Sequence, residues 1–231
     1  MGGHGRLEPG RGCIARHDAV PCAGGGQACR RCMAMSGTRR LLAAAAACGA
    51  VVVLASSADH GLLAGPDRRA FEVVRARRGA TLVKVARAVS ALAEPAAVSP
   101  VLVLAGVGAA RGGSWWQAAA PCLVVGGGAV ARRRLSRVIA RDRPPASSWL
   151  AEPEGFSLPS RHTTLAVLTV GAAARAVGVH GAPAQAAMLL AAGGVGASRV
   201  CLGVHWPADV VAGWLFAVGW LHLTSPASEP R

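Results

Sequence analysis

Residues 183–204, PAQAAMLLAAGGVGASRVCLGV, and residues 207–224, PADVVAGWLFAVGWLHLT, are two apolar runs separated only by His205 and Trp206. Each is close to the roughly 20 residues that carry an α-helix through a bilayer core. A connection this short joins antiparallel neighbours, so the pair reads as a helical hairpin crossing a membrane twice. Toward the N-terminus four more such runs appear, at 163–179, 114–131, 90–110 and 41–57. The predicted fold is all-α: an integral membrane bundle of six transmembrane helices. Abundant Gly and Ala suit it, because small residues let helix backbones approach closely in lipid. Trp115, Trp116, Trp206 and Trp220 fall near span ends, where amphipathic rings favour the membrane interface.

Composition agrees. The chain has 231 residues, 52% hydrophobic and 16% charged, with a mean hydropathy of +0.39. Soluble domains carry about 25% charged residues, so disorder, a coiled coil and a soluble nucleic-acid tail protein are excluded. The net charge is +14, from 25 Lys and Arg against 11 Asp and Glu, and Lys84 is the only lysine. Charge of this kind suits nucleic acid, anionic lipid or a phosphorylated substrate. The arginines cluster at span edges and no base-reading motif occurs, so no nucleic-acid partner is expected.

Three regions follow. Residues 1–36 read as a disordered tail or a mis-called start, with Met33 and Met35 as later starts. Residues 37–225 form the six-span domain, and 226–231 a short C-terminal tail. The first region holds Cys13, Cys22, Cys29 and Cys32. Cys29 and Cys32 have zinc-ligand spacing, but no second CxxC closes a site, so no metal or cofactor is expected. Residues 67–89 carry seven basic residues, with Leu82, Val85, Ala86 and Val89 at helical spacing. They predict an amphipathic helix on the membrane surface. Residues 132–162 hold the densest charge, and Arg132, Arg133 and Arg134 read as an interfacial anchor.

Three segments carry the chemistry: Arg141-Asp142-Arg143-Pro144, Pro159-Ser160-Arg161-His162, and Ser198-Arg199 through His205-Trp206-Pro207-Ala208-Asp209. Alternating spans bring the end of the third, the start of the fourth, the end of the fifth and the start of the sixth to one face. Ionisable residues at membrane depth are expensive and functional by default. Arg143 and Arg199 can grip phosphate oxygens with planar forks. Ser160 and the amides opening the fourth span complete an anion cradle. His205 is the candidate nucleophile and His162 the candidate general acid. Asp209, four residues after His205, is placed to fix its tautomer and stabilise its charged form.

SRVCLGVHWPAD is similar to the SRx5HxxxD signature of the type 2 phosphatidic acid phosphatase (PAP2) superfamily. LPSRH resembles its PSGH signature, and ARDRP the end of its KxxxxxxRP signature. The three come in family order on a six-span chain, and the resemblance covers roughly 59–224. It implies metal-independent hydrolysis of a lipid-linked phosphate or isoprenoid diphosphate. His205 attacks phosphorus to form a phosphohistidine, and His162 protonates the leaving oxygen. Arg143, Arg199 and Ser160 stabilise the equatorial oxygens, and Asp209 orients His205. Two positions depart from the pattern. The family lysine falls on Ser136, with Arg133 and Arg137 nearby to substitute as phosphate ligands. The PSGH glycine is Arg161, a further phosphate contact or a narrower entrance.

Arg30, Arg31, Arg39 and Arg40 favour an inside N-terminus. The basic connections 67–89 and 132–162 would then lie outside, against the usual bias, so charge alone leaves the orientation open. The resemblance implies a multi-pass cell-membrane protein with its active site on the extracytoplasmic face, where a phosphate-binding role would account for those arginines. The rival reading is a non-catalytic membrane protein binding phospholipid head groups, supported by the missing lysine. A soluble vanadate-type haloperoxidase conflicts with six apolar spans.

Overall fold

The structure, a computed structural model, describes residues 26–111, 115–179 and 181–225. Cys13, Cys22 and the 226–231 tail lie outside the described residues. Eight α-helices are present among them: α1 (Gly26–His60), α2 (Ala64–Ala76), α3 (Ala80–Ala91), α4 (Pro95–Ala110), α5 (Trp115–Ile139), α6 (Arg161–Ala176), α7 (Ala182–Cys201) and α8 (Pro207–Leu223). A short 3-10 turn, Ala146–Ser148, interrupts the α5–α6 connection.

The described part of α1 starts at Gly26, and residues 26–36 are helical. No proline falls between Pro21 and Pro66 to break it. The predicted surface helix at 67–89 is divided. Helix α2 ends at Ala76, and Gly79 restarts the chain as α3 in extended backbone. Helix α3 packs along α7 instead of lying free. The predicted span 90–110 is bent by 43° between α3 and α4, where Pro95 opens the second helix.

Helix α6 is the hub, contacting α4, α5, α7 and α8. Its Val167, Leu168 and Ala172 join Val98 and Leu102 of α4, Val125 of α5, Ala192 of α7 and Leu221 of α8 in the largest core cluster. Glycines set the spacing. A Cβ on Gly106 would stand 2.5 Å from the Ala118 carbonyl, and one on Gly213 2.9 Å from the Ser160 carbonyl. Those approaches exclude any larger residue unless the helices separate.

Six straight spans do not appear. Among the described residues only Gly37–Ala58 of α1 is both long and apolar enough to cross a bilayer alone, and α3 with α4 passes as one bent pair. Helices α4 and α6 have 16 residues and α8 has 17. At 1.5 Å per residue they reach about 24–26 Å, short of the ~30 Å core. The bundle nevertheless presents apolar side chains outward. Leu104 is 72% exposed, Leu123 61% and Leu190 76%. An apolar exterior on helices packed through small residues is the surface of a protein solvated by lipid.

Candidate active site

The ends of α5 and α7 and the starts of α6 and α8 meet at one end of the bundle. The long α5–α6 connection closes over them. It is tied down by Leu150 N–H donating to the Leu202 carbonyl at 2.9 Å and Ser148 Oγ donating to the Gly203 carbonyl at 3.0 Å. Gly203, at φ +77, makes the turn that ends α7. An L side chain is strained there. The turn aims His205 inward, where it is 1% exposed.

Pro207 then opens α8 at a position where its missing N–H costs nothing. Asp209, in the first turn and fully buried, accepts the Trp206 N–H through Oδ2 at 2.8 Å. The same oxygen accepts from Ser157 Oγ and faces His205 Nδ1 at 3.3 Å. Its other oxygen takes Arg141 Nη1 at 2.6 Å. With Nδ1–H on Asp209, the lone pair of His205 is left on Nε2, as a nucleophile requires. Burial pushes the His205 imidazole down to about 4, Asp209 opposes this, and the charges of Arg143 and Arg199 add to it. His205 is therefore neutral at pH 7. If it is the nucleophile, kcat/KM should hold between pH 6.5 and 5 and fall only toward pH 4, where protonation removes the lone pair. A pH–rate profile turning over near the ordinary histidine value of about 6.5 would contradict this.

Arg143 reaches His205 Nε2 with Nη1 at 3.2 Å. Its other donors are engaged by backbone: Val204 O at 2.7 Å, Glu154 O at 2.7 Å, Gly155 O at 2.8 Å and Phe156 O at 3.0 Å. It both holds the connecting loop and touches the His205 ring. Arg199, 4% exposed, donates to Ser90 Oγ at 2.8 Å, and its Nε has no partner. A buried guanidinium with an unused donor suits an anion. Ser160, fully buried, donates its N–H to the Asp209 carbonyl at 3.0 Å. Its Oγ accepts from Thr163 Oγ1 at 3.2 Å. His162 lies in the first turn of α6, its Nε2 2.6 Å from Glu94 Oε1. Arg161 contacts Glu94 at 3.4 Å and Glu154 at 3.3 Å.

Arg137 does not join the site. It and Arg133 are exposed, whereas Ser136 is buried with an unpartnered Oγ. Arg132, read from sequence as an anchor, is only 7% exposed and grips the Pro159 carbonyl through Nε at 2.6 Å and through Nη2. Arg132 and Ser136 are four residues apart and share the inward face of α5, while Arg133 and Arg137 share the outward one.

Sequence reading also missed Glu94, Arg141 and Asp67. Glu94 is the one carboxylate inside the apolar run 90–110, and that exception was its signal. Arg141 stands beside the chosen Arg143. It is 3% exposed and bridges Asp209 and Asp67, the latter at 2.8 Å. Asp67 in turn accepts the Ala208 N–H at 2.7 Å. Among the described residues no three His, Cys, Asp or Glu side chains cluster as metal ligands.

The PAP2 superfamily profile matches residues 117–230, the stretch that supplies both histidines and Asp209. No curated protein matches. Among solved structures the fold is similar to a transmembrane PAP2-type phosphatidylglycerolphosphate phosphatase from Bacillus subtilis, with a TM-score of 0.68 and 23% identity. The match covers 78% of this chain and 92% of that one. The likeness is one of fold. The profile thus places a PAP2 superfamily match over residues 117–230, and the fold is similar to that of a PAP2-type phosphatase.

Proposed function

We propose that the chain is a multi-pass membrane phosphatase that hydrolyses a lipid-linked phosphate or diphosphate, without a metal, through a phosphohistidine at His205. The PAP2 superfamily match over residues 117–230 supports a phosphatase. One observation carries the mechanism: buried Asp209 takes His205 Nδ1, leaving Nε2 as the lone pair beside Arg143. Nε2 attacks phosphorus as the bond to the leaving oxygen breaks. His162, paired with Glu94, gives that oxygen its proton. Water then attacks the phosphorus, the P–N bond breaks, and phosphate leaves. Arg143, Arg199 and Ser160 surround the equatorial oxygens, which gain charge in the transition state.

Arg132 is the cation in place of the family lysine. The non-catalytic binder reading drew on the empty lysine position at Ser136, and a buried Arg132 removes that ground. Arg132→Gln should lower kcat/KM by about 100-fold, the usual cost of one charge-stabilising donor. Arg137→Gln should stay within about twofold, as for surface positions. Equal effects from both would refute the assignment.

The active-site face is extracytoplasmic. The opposite end carries Arg39, Arg40, Arg111 and Arg175. The more numerous basic residues of 67–89 and 132–162 lie at the active-site end, against the usual charge bias, where Arg132, Arg141, Arg143 and Arg161 are engaged in the site and its loop. A cysteine introduced at exposed Val138 should react with an impermeant maleimide in intact cells. Reaction only after lysis would invert the topology.

The direct test is phosphate release by detergent-purified protein with chelator present. A polyprenyl diphosphate, a phosphatidate and a soluble phosphomonoester serve as substrates. Release from at least one lipid is expected, and silence on all of them overturns the phosphatase reading.

A further inference from the structure

We propose that a cavity between α4, α5 and α6 is a second anion subsite, so that the substrate carries two phosphate groups, one cleaved at His205 and one retained. This rests on the hydrolase reading above. The cavity has a volume of about 230 Å³ and is lined by Arg132, Arg133 and Arg161, with Val98, Leu165 and Thr164. Three guanidinium groups on one small, partly apolar cavity repel one another unless an anion joins them. A bare apolar crevice between helices would need none of them.

The counter-charge present is unevenly placed. Arg161 holds both nearby carboxylates, Glu94 at 3.4 Å and Glu154 at 3.3 Å. The Glu154 side chain is 73% exposed, so it is an easily displaced partner. Among the described residues neither Arg132 nor Arg133 has a carboxylate at ion-pair distance. Arg132, although buried, spends Nε and Nη2 on the one Pro159 carbonyl. Burying a cation without an anion is costly, and a phosphate offsets that cost with charge-assisted bonds to planar forks.

The cavity also lies where a substrate would extend. Pro159, which holds Arg132, directly precedes Ser160, and Arg161 precedes His162. Arg132 thus links the two: it lines the cavity with Arg133 and Arg161 and grips the residue next to Ser160. A single phosphomonoester at His205 would leave Arg133 and Arg161 unused. With two phosphate groups, the His205 Nε2–P bond forms as one P–O bond breaks. The retained phosphate stays on the lipid, and the leaving oxygen, on that phosphate in a diphosphate or on the spacer carbon otherwise, takes the His162 proton. Val98 and Leu165 offer the first carbons of the lipid an apolar wall. Arg161 stands where the signature has glycine, and Arg132 lies outside the signature positions, so this specificity belongs to this chain.

Non-hydrolysable probes test the subsite without turnover. Calorimetry on the full chain in detergent compares phosphate, methylenebisphosphonate and propane-1,3-bisphosphonate. At least one bisphosphonate should bind about tenfold or more tighter than phosphate, the worth of one or two charge-assisted hydrogen bonds. That ratio should collapse toward one in Arg133→Gln and in Arg161→Gln. Arg133 is exposed, so its variant tests the idea even if Arg161→Gln fails to fold. A tighter short-linked probe identifies a lipid diphosphate, and a tighter long-linked probe identifies two phosphates across a glycerol-length spacer. Equal affinity for phosphate and both bisphosphonates, or a ratio unchanged in Arg133→Gln, overturns the subsite. A ratio that behaves as expected while no lipid releases phosphate overturns the hydrolase reading alone.

Discussion

His205→Ala is expected to abolish phosphate release, by at least about 1,000-fold in kcat, as removal of a covalent nucleophile does. The protein should remain folded. His205 is 1% exposed, yet its ring bonds only Asp209 and Arg143. Asp209 keeps Arg141, Ser157 and the Trp206 amide without it. The loss should therefore fall on kcat, with lipid binding retained through the arginines. Brief incubation of wild type with a ³²P-labelled substrate should trap an acid-labile, base-stable phosphoprotein that the variant lacks. Substantial turnover by the variant, or an equal label in it, would move the nucleophile elsewhere.

Arg141→Ala carries the largest expected effect on stability. Arg141 is the shared counter-ion of Asp67, 6% exposed, and Asp209, fully buried. It also donates to the Ala58 carbonyl at 3.2 Å, tying the end of α1 to the site. Removing it leaves two carboxylates buried together without a cation. Breaking a buried pair costs about 3–5 kcal/mol. For a domain of this size that lowers the thermal midpoint in detergent by about 10 °C or more. Arg141→Lys should rescue only part of the loss, because a point charge cannot fork between two carboxylates. Adding Asp67→Asn to Arg141→Ala should recover stability, since one buried charge is then removed. A midpoint within about 2 °C of wild type for Arg141→Ala would show that the network contributes little. Activity should fall with stability, because Asp209 would lose the bond that orients it toward His205.

The apolar runs and the SRVCLGVHWPAD segment were legible because their information is local. Span length follows from the rise of a helix. The His205–Asp209 pair is four residues apart at a helix start, so its contact follows from spacing. Single straight spans were over-read. The break at 92–94 and the short reach of α4, α6 and α8 depend on Pro95 and on how the helices pack, and a hydropathy window averages over both. The face of α5 was misjudged for a related reason. Arg132, Arg133 and Arg137 are equally basic, and which one points inward depends on how α5 rotates against α6.

The sequence by itself determined an all-helical membrane protein with two histidines, an aspartate and several arginines gathered at one end of its spans. Helical periodicity and hydrophobic length are properties of neighbouring residues, and those suffice for that much. The tertiary structure decided which charges are paired. Arg141 meets Asp209 across 68 residues and Asp67 across 74, and Glu94 meets His162 across 68. Such pairings form only when burial excludes water and leaves each ion no partner but the other. Composition carries no record of that choice, because an arginine's role depends on the dielectric around it and on the carboxylate or phosphate within its reach.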